Sequence, residues 1–162
     1  MINKLNNVSW PLILALFILP VSALAETRSR PEGWAQPMIE TKIENFYKIN
    51  DDIYRSNQPD IEEMKELEWY GIRSILNLRE YHSDTNEAKG TKINLYHVAM
   101  DAGEINDADI KQALSIIAQA QKPILIHCWH GSDRTGVVVA MYRIVFQNWP
   151  RDKAIDEFNS GG

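Results

Sequence analysis

The stretch ILIHCWHGSDRTGVVVA, residues 124–140, decides the fold. Ile124 to His127 is a short, continuous apolar run of the kind buried on both faces of a parallel sheet. Thr135 to Asn148 is strongly apolar and long enough for a helix. Between them lies a loop holding Cys128, the only cysteine in the chain, with Gly131, Asp133 and Arg134. A buried strand, a loop and a helix together make an anion site. The first amides of the helix lack internal partners and carry the positive end of its dipole. A loop from Cys128 to Arg134 can wrap further N–H groups round one tetrahedral oxyanion. Gly131 suits a positive φ where the loop curls, and Gly136 lets the helix approach the loop closely. Arg134 adds a planar fork that grips two oxygens at once. The field that binds the anion also holds thiols at helix N-termini as thiolates, so the same geometry arms Cys128 as a nucleophile.

Working outward, strands and helices alternate. Phe46–Ile49 and Ile53–Ser56 read as strands around the turn Asn50-Asp51-Asp52. Asp60 is a natural N-cap, with Glu62 and Glu63 in the first turn of a helix. Ile61, Met64, Leu67 and either Trp69 or Tyr70 form its apolar face, and Gly71 sits where a left-handed C-terminal residue belongs. Ile72–Leu78 is a strand, the segment from Arg79 to Gly90 a polar loop, and Ile93–Val98 the next strand. Asp107 caps a helix running to about Ala120, with Ile110, Leu114, Ile117 and Ala118 on one side. Asp152 to Phe158 begins a last helix. The alternation predicts an α/β single domain with a central, mostly parallel sheet flanked by helices.

The N-terminus reads MINKLNNVSWPLILALFILPVSALAE. Lys4, the apolar stretch Trp10–Leu19 and Ala23-Leu24-Ala25 give the three-part layout of a secretory signal peptide at residues 1–25. The apolar run is shorter than the ~20 residues a spanning helix needs. The chain is therefore expected to be exported, periplasmic or secreted, with cleavage near Ala25 and no stable membrane insertion afterwards. Residues 26–44 mix Pro, Gly and charge and read as an extended leader that docks through Trp34 or stays mobile. The catalytic domain is expected at 45–162. The chain stops at Ser160-Gly161-Gly162, abruptly for a helix, as a missing C-terminal piece would leave it. Loss of Lys4 takes the formal charge from −5 to −6. That balance argues against nucleic acid or anionic membrane as main partner, but leaves room for a small anionic substrate in a local positive pocket. One cysteine means no internal disulfide.

HCWHGSDRTG, residues 127–136, resembles the His-Cys-x5-Arg-Thr/Ser-Gly motif of the protein tyrosine phosphatase superfamily. From YRSNQP to the last helix, about residues 45–160, the chain resembles its small dual-specificity branch. His127, Cys128, Gly131, Arg134, Thr135 and Gly136 all match. Rhodanese-type sulfurtransferases share a related architecture, but their usual loop is one residue shorter; five residues separate Cys128 from Arg134. The resemblance implies the Cys-x5-Arg phosphatase fold and hydrolysis of phosphomonoesters through a phosphocysteine formed on Cys128. It implies that the amides of Trp129, His130, Gly131, Ser132, Asp133 and Arg134, with the Arg134 guanidinium, hold the equatorial oxygens. Thr135 would hydrogen-bond the sulfur and His127 would order the loop. No metal or other cofactor is implied, since the loop supplies the positive charge.

The family also uses an aspartate upstream of the cysteine to protonate the leaving group. Asp101 in HVAMDAGEINDAD, 27 positions before Cys128, is the favoured acid, with Glu104 and Asp133 as alternatives. Asp133 also resembles the acid of Cys-x-x-Gly-x-Asp-Arg loops in lipid-directed and broad-specificity members, and equally reads as a surface charge. Trp129, His130, Tyr81 and His82 are candidates for the pocket rim, set against an outward-packed Trp129 and a solvated loop at 81–82. Arg79 reads as a structural salt bridge or a second phosphate-facing cation, and His97 as structural. The expected substrate is phosphotyrosine in a phosphorylated protein, extending to phosphoserine and phosphothreonine. The alternatives are a phosphoinositide or other small phosphorylated molecule, and a catalytically silent phosphate-binding module.

Overall fold

In a computed structural model the described residues are 30–161. The signal segment expected at residues 1–25 and the first part of the leader lie outside them. The rest of the leader is structured. Gln36–Pro37 forms β1, antiparallel to β2 (Tyr47–Lys48), which is shorter than the expected 46–49 strand. The anchor is Ala35, fully buried, and Trp34 is only half-buried. The Ala35 N–H donates to Glu157 Oε1 at 2.6 Å, and that carboxylate also pairs with the buried Arg143 guanidinium at 2.7 Å. A small side chain fits against this buried ion pair where an indole would not.

β2 turns into β3 (Ile53–Ser56) through Asn50, whose Oδ1 accepts the N–H groups of Asp52 and Ile53, both at 2.9 Å. α1 (Ile61–Trp69) starts on a capping box in which the Asp60 carboxylate takes the Glu63 N–H and Glu63 returns to the Asp60 N–H. Tyr70, not Trp69, joins the core; Trp69 is 83% exposed. Gly71 ends the helix at φ +95°, as expected of a left-handed cap. β4 (Ser74–Arg79) starts later than expected because the Ile72 N–H still bonds back to Leu67 O at 3.0 Å. β5 (Asn94–Met100) runs past Val98 and ends one residue before Asp101. α2 (Asp107–Gln119) is capped by Asn106, whose Oδ1 takes the Ala108 and Asp109 N–H groups at 3.0 Å, so Asp107 is its first residue and not its cap. Ala113 takes the buried place expected for Ala118, which is exposed. β6 (Ile124–His127), α3 (Asp133–Gln147) and α4 (Arg151–Ser160) complete the order.

The sheet runs β1-β2-β3-β6-β4-β5, with β3, β6, β4 and β5 mutually parallel. β6 therefore lies between two parallel neighbours, and all four of its residues are buried. Side chains alternate between two cores. Ile75 and Leu125 face α1 with Met64 and Leu67, while Leu76, Leu78, Ile124 and Ile126 pack with Ile117, Val138 and Val139 of α2 and α3. Burying each such side chain contributes roughly 1.5–3 kcal/mol. Because the period is two, the residues just beyond Ile126 diverge. Cys128 falls in the α2/α3 core and His127 on the opposite side. The domain is thus an α/β unit with a mixed, mostly parallel sheet.

Candidate active site

The chain leaves β6 at its carboxyl end, where parallel α/β sheets place their ligands. Cys128 is 2% exposed at the base of the loop that leads into α3. Gly131 has φ +78°, and a Cβ there would stand 2.5 Å from the Ser56 carbonyl carbon and 2.8 Å from the Asn57 nitrogen. The loop is thus pressed onto the end of β3, and only glycine fits. Its carbonyls are tied outward: the Gln58 N–H donates to Trp129 O at 3.0 Å, and Asn45 Nδ2 to His130 O at 2.7 Å. The amides of residues 129–135 have no acceptor among the described residues. α1 and α2 are capped by their own side chains, but Ser132 gives α3 no side-chain cap. Unpaired donors at a helix N-terminus are able to hold an oxyanion.

Arg134 lies in the first turn of α3 and donates from Nη1 to Met100 O at 3.2 Å, while its buried Nε has no partner among the described residues. That bond places the end of β5, and so the Asp101 loop, beside the guanidinium. Asp101 is exposed; its Oδ1 accepts the Gly103 N–H at 2.8 Å, which shapes the turn. Glu104 and Asp133 are exposed as well, Asp133 in the first turn of α3. Thr135 is fully buried and its Oγ1 has no hydrogen-bond partner, so the implied bond to the Cys128 sulfur is not made here. A Cβ at Gly136 would meet the Phe158 ring of α4 at 2.6 Å, so the glycine also lets α4 pack against α3, while its N–H donates to Ser132 O at 2.6 Å.

His127 is fully buried. Its Nε2 sits 2.8 Å from Asp84 Oδ2 and its Nδ1 3.1 Å from Cys128 O, and both partners are acceptors. Asp84 Oδ1 also accepts from Gln58 Nε2 at 2.9 Å and Asn77 Nδ2 at 3.1 Å. Burial alone would raise the Asp84 pKa; the His127 hydrogen bond and charge, the Gln58 amide and the His82 charge outweigh it and hold it below the ordinary value. Neither Asp84 nor Gln58 stood out in the sequence. The one signal was indirect: a histidine in a buried strand needs a partner.

The rim candidates separate. Trp129 is 53% exposed, with the Arg79 guanidinium 4.2 Å from its ring centroid, and His130 is exposed beside it. Tyr81 projects into solvent at 91% exposure. His82 points inward, 3.3 Å from Glu87 and 3.9 Å from Asp84. Arg79 donates to Gln58 Oε1 at 3.0 Å and forms no ion pair among the described residues, so the expected salt bridge is not there. His97 is exposed and bonds Arg79 O at 2.6 Å.

The same fold recurs in known proteins. Residues 41–160 match the tyrosine phosphatase family. The chain is 29% identical over 154 residues to the dual specificity protein phosphatase TpbA of Pseudomonas aeruginosa, covering 93% of this chain and 69% of that one. It is 37% identical over 125 residues to the inositol diphosphatase SIW14 of Saccharomyces cerevisiae, covering 71% of this chain and 44% of the relative. The crystal structure of a TpbA variant in complex with pTyr superimposes with a TM-score of 0.74 at 28% identity, over 82% of this chain and 81% of that one. A cysteine-bearing loop at the head of α3, a matched fold and a family match over residues 41–160 converge: the chain belongs to the tyrosine phosphatase family.

Proposed function

We propose that this cysteine-dependent phosphatase uses Cys128 to hydrolyse phosphotyrosine, with phosphoserine and phosphothreonine within reach, by two displacements at phosphorus. Cys128 Sγ attacks, the P–O ester bond breaks and a phosphocysteine forms. The amides of residues 129–134 and the Arg134 guanidinium hold the three equatorial oxygens as charge builds. Asp101 gives its proton to the departing oxygen. It then takes one from the water that attacks the phosphocysteine, releasing orthophosphate and the thiolate. Thr135 Oγ1 supports the sulfur as it leaves, and His127, fixed by Asp84, holds the base of the loop. The loop and helix supply the positive charge, so the scheme calls on no metal.

The observation that carries this reading is the set of amides at 129–135 without acceptors among the described residues, at the head of α3 directly after Cys128. Cys128→Ser should abolish turnover of p-nitrophenyl phosphate while vanadate still binds. Full turnover by that variant overturns the proposal, and vanadate binding without turnover by the wild type would favour a silent phosphate-binding module. A second reading, a small-molecule phosphate as substrate, is favoured by the 37% identity to an inositol diphosphatase. A panel of phosphopeptides, phosphoinositides and soluble inositol phosphates separates the two by kcat/KM. The layout of residues 1–25 supports export to the periplasm or beyond. No helix among the described residues is long and apolar enough to cross a membrane.

A further inference from the structure

Arg79 is the last residue of β4, at the same carboxyl edge of the sheet as the Cys128 loop. Its guanidinium is seated, not free in solvent. One N–H goes to Gln58 Oε1 and the group lies over the Trp129 ring. Gln58 is itself immobilised, because its backbone N–H holds Trp129 O and its side-chain amide bonds Asp84 Oδ1 and Pro59 O. The backbone beneath Arg79 is fixed too, with its N–H on Asn77 Oδ1 and its carbonyl on His97 Nε2. All this positioning ends in a fork with no carboxylate partner among the described residues.

Charges of both signs act on it. Burial lowers the Arg79 pKa from its ordinary value, and the neighbouring Arg134 guanidinium lowers it further, against Asp84, Glu87 and Cys128. The two guanidiniums repel each other in the free protein, and an anion bound to both relieves that repulsion. Arg134 and the loop amides already serve the reacting phosphoryl group. The rest of the Arg79 fork is open for a different one, and a planar guanidinium stacked on an indole is preorganised for a bidentate phosphate contact.

We propose that Arg79, seated on Trp129 and braced by Gln58, binds a second anionic group of the substrate beside the scissile phosphoryl. The ligand class is a compact organic phosphate carrying two close phosphoryl groups, either vicinal or as a diphosphate. The proposal rests on the small-molecule reading above and names the residue that would recognise it. If Arg79 only clamps Trp129, its loss affects every ligand of the loop alike.

The test compares methylphosphonate with methylenediphosphonate, which present one and two phosphonate groups and are not hydrolysed. Dissociation constants are measured by calorimetry for the wild type, Arg79→Ala and Arg79→Lys. The wild type should prefer the diphosphonate, and Arg79→Ala should weaken it ~10- to 100-fold more than methylphosphonate, as for loss of a charge-assisted bidentate contact. Arg79→Lys, a point charge without the fork, should fall between. Equal wild-type affinity for the two ligands, no binding of either, or a parallel loss of both in Arg79→Ala overturns the proposal. Turnover of p-nitrophenyl phosphate by the wild type is measured alongside. Failure there refutes the phosphatase chemistry, whereas a flat affinity ratio in an active enzyme refutes only the Arg79 subsite.

Discussion

Gly131→Ala tests whether the loop's position, as well as its residue types, makes the site. The native φ of +78° costs an alanine about 1–2 kcal/mol by itself. The added Cβ would also stand 2.5 Å from the Ser56 carbonyl carbon, whereas carbon atoms pack at about 3.5 Å, so something must retreat by about 1 Å. The β3 side cannot yield easily. Ser56 is in register with His127 of β6, and the Asn57 N–H is held by Glu44 O at 3.1 Å. The loop moves instead, carrying the amide cradle away from Cys128 and Arg134. Misplacement of that size costs on the order of 100-fold in rate. Steady-state kinetics on p-nitrophenyl phosphate should show kcat/KM falling by about that factor, mostly in kcat, with a folded protein by circular dichroism. A folded Gly131→Ala enzyme with wild-type kcat/KM would refute the claim that contact with Ser56 sets the loop.

Asp84→Ala leaves the His127 ring and the Gln58 and Asn77 amides facing an empty acceptor site. Breaking this buried pair should cost about 3–5 kcal/mol in urea unfolding, with Asp84→Asn costing less. Since the folded Asp84 pKa lies below its unfolded value, its stabilisation is complete above the unfolded pKa of about 3.9 and is lost as pH falls through the folded pKa. The urea midpoint of Asp84→Asn should accordingly vary less with pH on the acid side than that of the wild type. Asp101→Asn should slow phenyl phosphate, a poor leaving group, by about 100- to 10,000-fold and p-nitrophenyl phosphate far less. It should also remove the alkaline fall of the pH–rate profile; an unchanged profile moves the acid to Glu104 or Asp133.

Local chemistry was legible in the sequence. The apolar run Ile124–His127 announced a doubly flanked strand, Asp60 a helix N-cap and Gly71 a left-handed cap. Contacts between distant segments were not legible. Asp84 sits in a stretch that reads as polar loop, and its partner His127 is 43 positions away. Gln58 looks like any polar residue before a proline, yet it touches Asp84, Arg79 and Trp129. Trp69 and Tyr70 are equally apolar to a periodicity argument, and packing against Phe46 chooses Tyr70. The leader's docking through Ala35 depends on a carboxylate 122 positions later. Arg79 has no ion pair among the described residues, and its seat on Trp129 became visible only in the fold.

The central claim is that Cys128 becomes covalently phosphorylated during turnover. Rapid acid quench of the wild type with p-nitrophenyl phosphate, followed by peptide mass analysis, reads this directly. The account predicts the peptide containing Cys128 heavier by one phosphoryl group, with the mark absent from Cys128→Ser and accumulating more in a Thr135→Ala variant whose second step is slowed. An active enzyme with unmodified Cys128 at every quench time, or a phosphoryl group on another residue, would contradict it.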